Sequence, residues 1–133
     1  MSTLYMGASE ETVAKYVLFS GDPWRVEVVK KYLDNPKKGA FMREFNTYTG
    51  TYKGVEITVT STGIGAPSAA IAMEEMYESG MQVAVRMGTV MSMQDDMLGH
   101  FMIPIAAMRR EGTSQSYVDL SYPAVADVEL VNV

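Results

Sequence analysis

Hydrophobic and polar positions follow different periods in successive parts of the chain, and these periods predict an α/β fold. Residues 16–20 form a short, continuous apolar run that ends at Gly21, which is typical of a strand buried on both faces. Asp22 can then act as an N-cap with Pro23 at the first helical position, so a helix is predicted to follow. The apolar stripe of this helix consists of Val26, Val29 and Leu33. The segment 35–39 contains proline and glycine and is predicted to end it.

A two-residue period comes next and predicts a β-hairpin over residues 45–61. Val55, Ile57 and Val59 alternate with polar residues, as in a strand with one buried face. Lys53-Gly54 has the composition of the turn between the two strands. The hairpin therefore extends the strand and helix that precede it into the beginning of a sheet.

The rest of the chain predicts another helix, two further strands and the start of a third helix. An alanine-rich helix is expected from about 67 to 79, closed by Gly80. Residues 82–88 read as a second buried strand, whereas 100–108 contain a proline and favour an edge or bulged strand. Residues 124–131 look like the first turns of a helix. The predicted class is α/β, with a central mixed β-sheet flanked by helices.

Composition restricts the class of protein. With 133 residues, of which 47% are apolar and 20% charged, the chain is expected to form a single domain over 1–133. Residues 1–14 are polar and are expected to be poorly anchored. A net charge of −5 argues against nucleic-acid and anionic-membrane partners. No signal-peptide pattern or membrane-length apolar run is present, so a cytoplasmic protein is expected.

Methionine, histidine and paired acidic residues do not form an obvious reactive group. Six of the 12 methionines lie between Met87 and Met108, where they could fill a loosely packed core or line a binding surface. His100 is the only histidine and has no nucleophile motif nearby, so it is interpreted as a surface or strand-start residue. Asp95-Asp96 lacks further ligands at metal spacing, so solvated loop charges are expected and no metal site is predicted.

The candidate chemistry lies in three arginines, Arg25, Arg43 and Arg86, each at the end of a strand-like run. Guanidinium groups and backbone N–H groups at a helix start suit the binding of a phosphate dianion. At Gly21 a ligand can approach the backbone, and an anion would relieve the conflict between Arg25 and the helix dipole. The alternative is structural, because Asp22 could both cap the helix and pair with Arg25.

Two further motifs have competing interpretations. Arg86 lies in an apolar run, so a buried guanidinium is expected, paired either with an anion or with a carboxylate of the protein. Gly63-Ile64-Gly65 lacks the third glycine of a dinucleotide-binding fingerprint, because Ser68 stands at that position. A tight turn from strand to helix is the favoured interpretation of this motif.

Taken together, the segments resemble the uridine phosphorylase branch of the hexameric nucleoside phosphorylases. The resemblance rests on ordered matches over most of the chain rather than on one motif. The matching segments are Gly21-Asp22-Pro23-x-Arg25, Arg43-Glu44-Phe45-x-Thr47-Tyr48-Thr49-Gly50, Thr60-Ser61-Thr62-Gly63-Ile64-Gly65-Ala66-Pro67-Ser68, Ile71-Ala72-Met73-Glu74-Glu75, Arg86-Met87-Gly88-Thr89, Glu111-Gly112-Thr113-Ser114 and Tyr122-Pro123-Ala124-Val125-Ala126-Asp127.

The resemblance implies a transferase of nucleoside catabolism and pyrimidine salvage. Such enzymes cleave the N-glycosidic bond of uridine with inorganic phosphate, giving ribose 1-phosphate and uracil. By the same resemblance, the Gly21 backbone, Arg25, Arg86 and Thr89 hold phosphate, and Arg43 is lent to a neighbouring subunit. The partners implied are a nucleoside and phosphate in a dimer-based homo-oligomer; phosphate is a co-substrate, and no cofactor or metal is expected.

Departures from the family pattern leave two hypotheses open, and no catalytic residue is assigned. Residues 89–92 carry bulkier side chains than the small residues usual in the family, and Tyr5 or Met6 stands where it has a ribose-contacting histidine. The glutamine, arginine and glutamate that bind base and ribose belong to a carboxy-terminal half, so this is expected to be a truncated, amino-terminal half of the fold. The chain is then either the phosphate-binding half of an enzyme, active only with the other half, or an inactive oligomeric phosphate-binding or scaffold subunit.

Overall fold

The structure is a computed structural model that describes residues 1–133, and its chain divides into two compact units, Met1–Gly88 and Thr89–Val133. The prediction of one domain over 1–133 stays a prediction. The elements of the first unit are β1 (Tyr16–Ser20), α1 (Pro23–Val29), β2 (Asp34–Met42), β3 (Phe45–Tyr52), β4 (Val55–Ser61), α2 (Ala66–Glu78) and β5 (Val83–Arg86). Those of the second are β6 (Ala106–Ala107), β7 (Ala124–Val125) and α3 (Val128–Val131).

The first unit contains a five-stranded mixed sheet in the order β2-β3-β4-β1-β5. β1 is parallel to β4 and to β5, whereas β3 is antiparallel to β2 and to β4. Because β1 lies between two parallel partners, the chain segments that leave β1, β4 and β5 emerge at the same end of the sheet. The predicted α/β class with a mixed sheet is confirmed.

The predicted start of α1 and both predicted ends of α2 agree with the structure to within a residue. Asp22 caps α1 by accepting a hydrogen bond of 2.9 Å from the backbone N–H of Trp24, and Pro23 is the first helical residue. α2 follows Gly65, whose φ of 93° is readily adopted only by glycine, and it ends before Gly80 at φ 98°. Gly63-Ile64-Gly65 is therefore the expected strand-to-helix turn.

The first helical stretch ends earlier than predicted. α1 ends at Val29 and one 3-10 turn follows over Lys30–Tyr32, so the segment 35–39 lies within β2, a strand that was not predicted. Its composition resembles a turn, and Asn35 has a positive φ of 49°. Pairing with β3 imposes the extended conformation, with Asp34 opposite Thr51 and Met42 opposite Phe45. Two register shifts between these ends accommodate the irregular sequence.

Two hydrophobic clusters cover the sheet of the first unit. One contains Phe19, Phe45 and Met76 and joins the sheet to α2; the other contains Val26 and Val59 and joins it to α1. The amino-terminal segment belongs to the first cluster through Met6, Ala8 and Val13, and Met6 is only 1% exposed. The expectation that residues 1–14 are poorly anchored is therefore wrong, because a few apolar side chains fix an otherwise polar segment.

β5 differs from the strand predicted over 82–88. It is shorter, it lies at the edge of the sheet, and Val85 is 50% exposed. The apolar run correctly indicated a strand, whereas its predicted burial is wrong because no element covers this edge within the first unit.

The second unit has little regular structure. The strand predicted over 100–108 is reduced to β6, which pairs with β7. The helix predicted over 124–131 begins later, because Asp127 accepts a hydrogen bond from the Leu130 N–H and caps α3 there. Met93 is 100% exposed and most methionines of this region are exposed, so the core-filling interpretation of these methionines is wrong. None of the helices has the length and apolar character needed to cross a lipid bilayer.

Candidate functional site

Two of the predicted phosphate residues, Gly21 and Arg86, lie together at the carboxyl end of β1, beside the turn that contains Gly63. The register pairs Phe19 of β1 with Arg86 of β5, so both strands end at the same level. A Cβ atom at Gly21 would lie 3.4 Å from Arg86 Nη2 and 3.7 Å from the Gly63 carbonyl oxygen. The Arg86 guanidinium also folds against Gly88, where a Cβ atom would lie 2.7 Å from Nη1. Glycine at positions 21 and 88 therefore leaves the space that this guanidinium occupies.

Arg86 is exposed, so the prediction of a buried guanidinium is wrong. No carboxylate lies within ion-pair distance of it, and the expected alternative of a structural ion pair is not found. The physical reason is the position of β5 at the edge of the sheet, where water can solvate the charge. What the structure places beside Arg86 is backbone, at Gly21 and Gly88.

Arg25 and Arg43 lie on the connections that flank this end of the sheet. Arg25 is a half-buried residue in the first turn of α1, and its backbone N–H donates to the Asp22 carbonyl at 3.1 Å. Arg43 lies in the two-residue loop between β2 and β3, with a φ of 54°. Its exposed guanidinium carbon lies 5.6 Å from the centre of the Tyr5 ring, which is within the range of a cation–π interaction.

The residue after Arg43 fixes its loop to the turn that follows β4. Glu44 accepts a hydrogen bond of 2.7 Å from the Ser68 hydroxyl at Oε1, and its carbonyl accepts one of 2.6 Å from the Ser61 hydroxyl. The Ser68 bond, aided by a backbone N–H and by the Arg43 charge, holds the pKa of Glu44 below its usual range. Glu44 is therefore ionised at neutral pH and connects the Arg43 loop to α2.

A second connection joins the ends of β1 and β4. The Thr62 N–H donates to the Ser20 carbonyl at 2.8 Å, and the Ser68 hydroxyl lies 2.5 Å from the Thr62 carbonyl oxygen. Together with Glu44 and Ser61 these groups form what we call the loop-anchoring network. It consists of Ser20, Glu44, Ser61, Thr62 and Ser68, together with Asn46, whose backbone N–H donates to the Ser61 hydroxyl at 2.8 Å. Its effect is to hold three neighbouring loops, those after β1, β2 and β4, in one arrangement.

Sequence reasoning did not single out this network. Ser61 and Ser68 lie in segments that resemble the family, but a hydroxyl group at a strand end or in the first turn of a helix does not by itself identify its partner. Asn46 gave one local signal, because it is a polar side chain within a predicted strand, and such side chains normally face solvent. The hydrogen-bond partners are far apart in sequence, so the sequence alone does not show that they pair.

The second unit contains the fifth predicted phosphate residue, Thr89, and a loop that is organised around Arg109. Thr89 is the first residue of this unit and is exposed. Arg109 donates through all its N–H groups: to the Ser114 hydroxyl and carbonyl, and to the carbonyls of Val118, Asp119 and Tyr122, at 2.5 to 3.1 Å. These hydrogen bonds use every N–H group of the Arg109 guanidinium and stabilise its own loop.

The remaining polar candidates are exposed to solvent. His100 is exposed, as expected, and Asp95 and Asp96 lie on an exposed helical turn. No group of three or more histidine, aspartate or glutamate side chains is placed so that it could hold a metal ion.

Comparison with known proteins identifies the family of this chain. Residues 15–133 match the family model of the phosphorylase superfamily. The chain is 50% identical over 119 residues to a uridine phosphorylase of Thermococcus kodakarensis, covering 89% of this chain and 43% of that protein. It is 38% identical over 121 residues to a guanosine phosphorylase of Halorubrum lacusprofundi, covering 90% of this chain and 50% of that protein.

Solved structures of nucleoside phosphorylases share the fold of this chain. A crystal structure of uridine phosphorylase from Vibrio fischeri aligns with a TM-score of 0.90 at 36% identity, covering 98% of this chain and 55% of that one. The chain therefore spans about half the length of the curated relatives it matches. With the family match extending over most of its residues, the chain belongs to the phosphorylase superfamily.

Proposed function

We propose that this chain supplies the phosphate-binding half of a uridine phosphorylase-like enzyme. The observation that carries the proposal is the convergence of the Gly21 backbone, the Gly63 turn and the Arg86 guanidinium at one end of the sheet. In this proposal Gly21, Arg25, Arg86 and Thr89 bind inorganic phosphate, and Arg43 of the partner subunit completes the site in a dimer-based homo-oligomer.

The reaction exchanges one bond at the ribose C1′ for another. A phosphate oxygen forms a bond to C1′ while the bond from C1′ to the base nitrogen breaks, and its electron pair leaves with the base, which takes up a proton. Phosphate must therefore be held beneath C1′ with its charge facing the developing positive charge of the sugar. Positioning and charge complementarity are the main contributions that protein groups make to such a step.

Guanidinium groups suit this task because they remain charged and can bind two phosphate oxygens at once. Arg86 meets the requirement with its charge exposed and without a carboxylate partner. The Gly21 position lets an anion approach the backbone without meeting a side chain. The printed names of the relatives, uridine and guanosine phosphorylase, support a nucleoside as the second substrate.

The base and the ribose require further contacts. Because the chain spans about half of its relatives, we assign those contacts to polypeptide beyond these 133 residues, in a cytoplasmic enzyme of pyrimidine salvage. The second candidate is a catalytically inactive, oligomeric phosphate-binding or scaffold subunit. The exposed apolar side chains of the second unit favour association with another polypeptide under either function, among them Phe101, Ile103 and Ile105.

Turnover separates the two functions when the purified 133-residue chain is assayed both alone and together with the part of the Thermococcus kodakarensis uridine phosphorylase that this chain does not match. Uridine and, in parallel, guanosine are incubated with phosphate at high protein concentration, and release of free base is followed chromatographically. Base release that requires phosphate and is lost in Arg86→Ala supports the enzyme. Phosphate binding without turnover in both assays supports the subunit, base release without phosphate indicates a hydrolase, and the absence of both binding and turnover contradicts both proposals.

A further inference from the structure

We propose that Asn46 is a positioning residue for the phosphate site, because its side-chain amide holds α1 while its backbone N–H, through Ser61, holds the loop that carries Arg43. The inference rests on the proposed function. Asn46 is the second residue of β3 and does not contact the groups assigned to phosphate. It acts instead on the backbone that carries them.

The contacts of Asn46 reach two of the three loops directly. Its Nδ2 donates to the Pro23 carbonyl at 3.1 Å and to Glu27 Oε1 at 2.8 Å. Its backbone N–H donates at 2.8 Å to the Ser61 hydroxyl, which in turn donates to the Glu44 carbonyl at 2.6 Å. One residue thereby fixes the start of α1, the end of β4 and the loop between β2 and β3.

The position of Pro23 explains why this link matters for the anion. Pro23 lies between Gly21 and Arg25, so holding its carbonyl fixes the short turn that presents both groups. Glu44 lies directly after Arg43, so the Ser61 bridge fixes the other loop. Displacing a binding group by about 1 Å can cost a site up to about 100-fold in performance. Both ends of the Asn46 link therefore reach residues whose placement the site requires.

The buried amide is not explained by packing alone. Asn46 is 0% exposed, and its Oδ1 has no hydrogen-bond partner, which is unfavourable in a buried position. Reversing the amide would place Oδ1 against the Pro23 carbonyl and the Glu27 carboxylate, so the observed orientation is the favourable one. A leucine of similar size would avoid the unpaired oxygen but would lose both donors. The two donors are therefore the contribution that distinguishes asparagine here.

The test measures phosphate affinity and thermal stability of the 133-residue chain in three variants. Asn46→Leu removes the donors and the unpaired oxygen together, whereas Asn46→Asp keeps the shape and replaces the donors by acceptors. Thr47→Val is the matched control: Thr47 is the next residue of β3, it is buried, and its hydroxyl pairs with that of Thr60 at 2.7 Å. Thr47→Val thus removes a buried hydrogen bond that does not lead to α1.

We expect both Asn46 variants to weaken inorganic phosphate binding by about 10-fold in calorimetric titration. All three variants should lower the midpoint of thermal unfolding, but Thr47→Val should change phosphate affinity by less than about twofold. If Asn46→Leu does not fold, the comparison of Asn46→Asp with Thr47→Val carries the same information. Perturbation of the Gly21 amide resonance by phosphate should also decrease in the Asn46 variants and not in Thr47→Val.

If both Asn46 variants bind phosphate with wild-type affinity, the inference is overturned. It is also overturned if Thr47→Val loses as much phosphate affinity as they do, because the effect would then be one of general stability. Arg86→Ala separates this failure from a failure of the proposed function. If Arg86→Ala loses phosphate while the Asn46 variants keep it, only the positioning role of Asn46 is wrong. If the wild-type chain does not bind phosphate, both the proposed function and this inference are wrong.

Discussion

The carboxylate of Glu75 accepts a hydrogen bond of 2.7 Å from the backbone N–H of Met6, which lies 69 positions earlier in the chain. Its other oxygen accepts one of 2.8 Å from the Tyr5 N–H. One buried side chain of α2 therefore fixes the amino-terminal segment, and with it the Tyr5 ring that lies beside the Arg43 guanidinium.

Replacing Glu75 should release this segment. In Glu75→Gln the single amide oxygen can accept only one of the two N–H groups, and the NH2 group faces the other donor. We expect a loss of about 1–3 kcal/mol in the free energy of unfolding by urea. Cleavage by a protease should also increase within residues 1–14. Glu74→Gln, at the neighbouring exposed position, is the control, and equal behaviour of the two variants would contradict the role of Glu75.

Arg86 should contribute to phosphate affinity and little to stability. Because its side chain is exposed and lacks a carboxylate partner, Arg86→Ala should leave the unfolding midpoint close to that of the wild type. Loss of a charge-assisted contact should weaken phosphate binding by about 10- to 100-fold in calorimetric titration. Arg110→Ala removes an exposed arginine of the second unit as a control. Unchanged phosphate affinity in Arg86→Ala would show that the site is misplaced.

Gly63 should tolerate a side chain less well than Gly54. Both have positive φ angles, 70° and 81°, so alanine meets a comparable backbone strain at each. A Cβ atom at Gly63 would overlap Glu44 Cγ, whereas none of the neighbouring atoms is near the corresponding point at Gly54. We therefore expect Gly63→Ala to lower the free energy of unfolding by about 1–3 kcal/mol more than Gly54→Ala. Equal losses in urea unfolding would mean that Glu44 is not held against this turn.

The pair of Glu27 and Lys30 predicts a dependence of stability on acid. The bond from Lys30, followed by that from Asn46, lowers the pKa of Glu27 from 4.5 to about 2. Because the folded-state pKa is the lower one, this contribution is complete above about pH 4.5 and is lost as the pH falls towards 2. Both side chains are partly exposed, so the contribution to stability is expected to be small.

Lys30→Met should raise the pKa of Glu27 towards 4.5, as followed by the carboxyl carbon resonance during an acid titration. Lys31→Met is the matched control, since Lys31 is exposed on the same helical turn and does not pair with Glu27. A Glu27 titration that is the same in both variants would contradict the assignment of Lys30 as the main cause.

Arg109 should be essential for the loop of the second unit. Lysine keeps the charge but offers fewer donors in a different geometry, so Arg109→Lys cannot reproduce bonds to the carbonyls of Val118, Asp119 and Tyr122 together. We expect at least about 10-fold faster hydrogen exchange at amides 114–118. Arg110→Lys should leave this exchange unchanged, and protection that survives in Arg109→Lys would show that the loop is held by other groups.

Local signals in the sequence predicted those parts of the fold that depend on neighbouring residues. Asp22 and Pro23 specify the start of α1, and the alternation around Val59 specifies β4. β2 was missed because its extended conformation depends on pairing with β3, while Pro36 and Gly39 carry the composition of a turn. Apolar character at β5 indicated a strand but could not specify its place at the edge.

The candidate site was predicted only in part for a similar reason. Gly21 and Arg86 could be chosen because glycine and arginine at strand ends have recognisable chemistry, and the structure brings these two together. The supporting contacts of Asn46 and Glu44 cross between elements and depend on the register of β3 and β4. Such contacts could be identified only once the sheet order was known.

The most direct test of the account is a crystal structure of this chain grown with inorganic phosphate. The account predicts one phosphate within hydrogen-bond distance of the Gly21 N–H and of the guanidinium groups of Arg25 and Arg86, with Arg43 of the partner subunit completing its shell. A phosphate bound elsewhere, or Arg86 paired with a carboxylate while this end of the sheet holds only water, would contradict it.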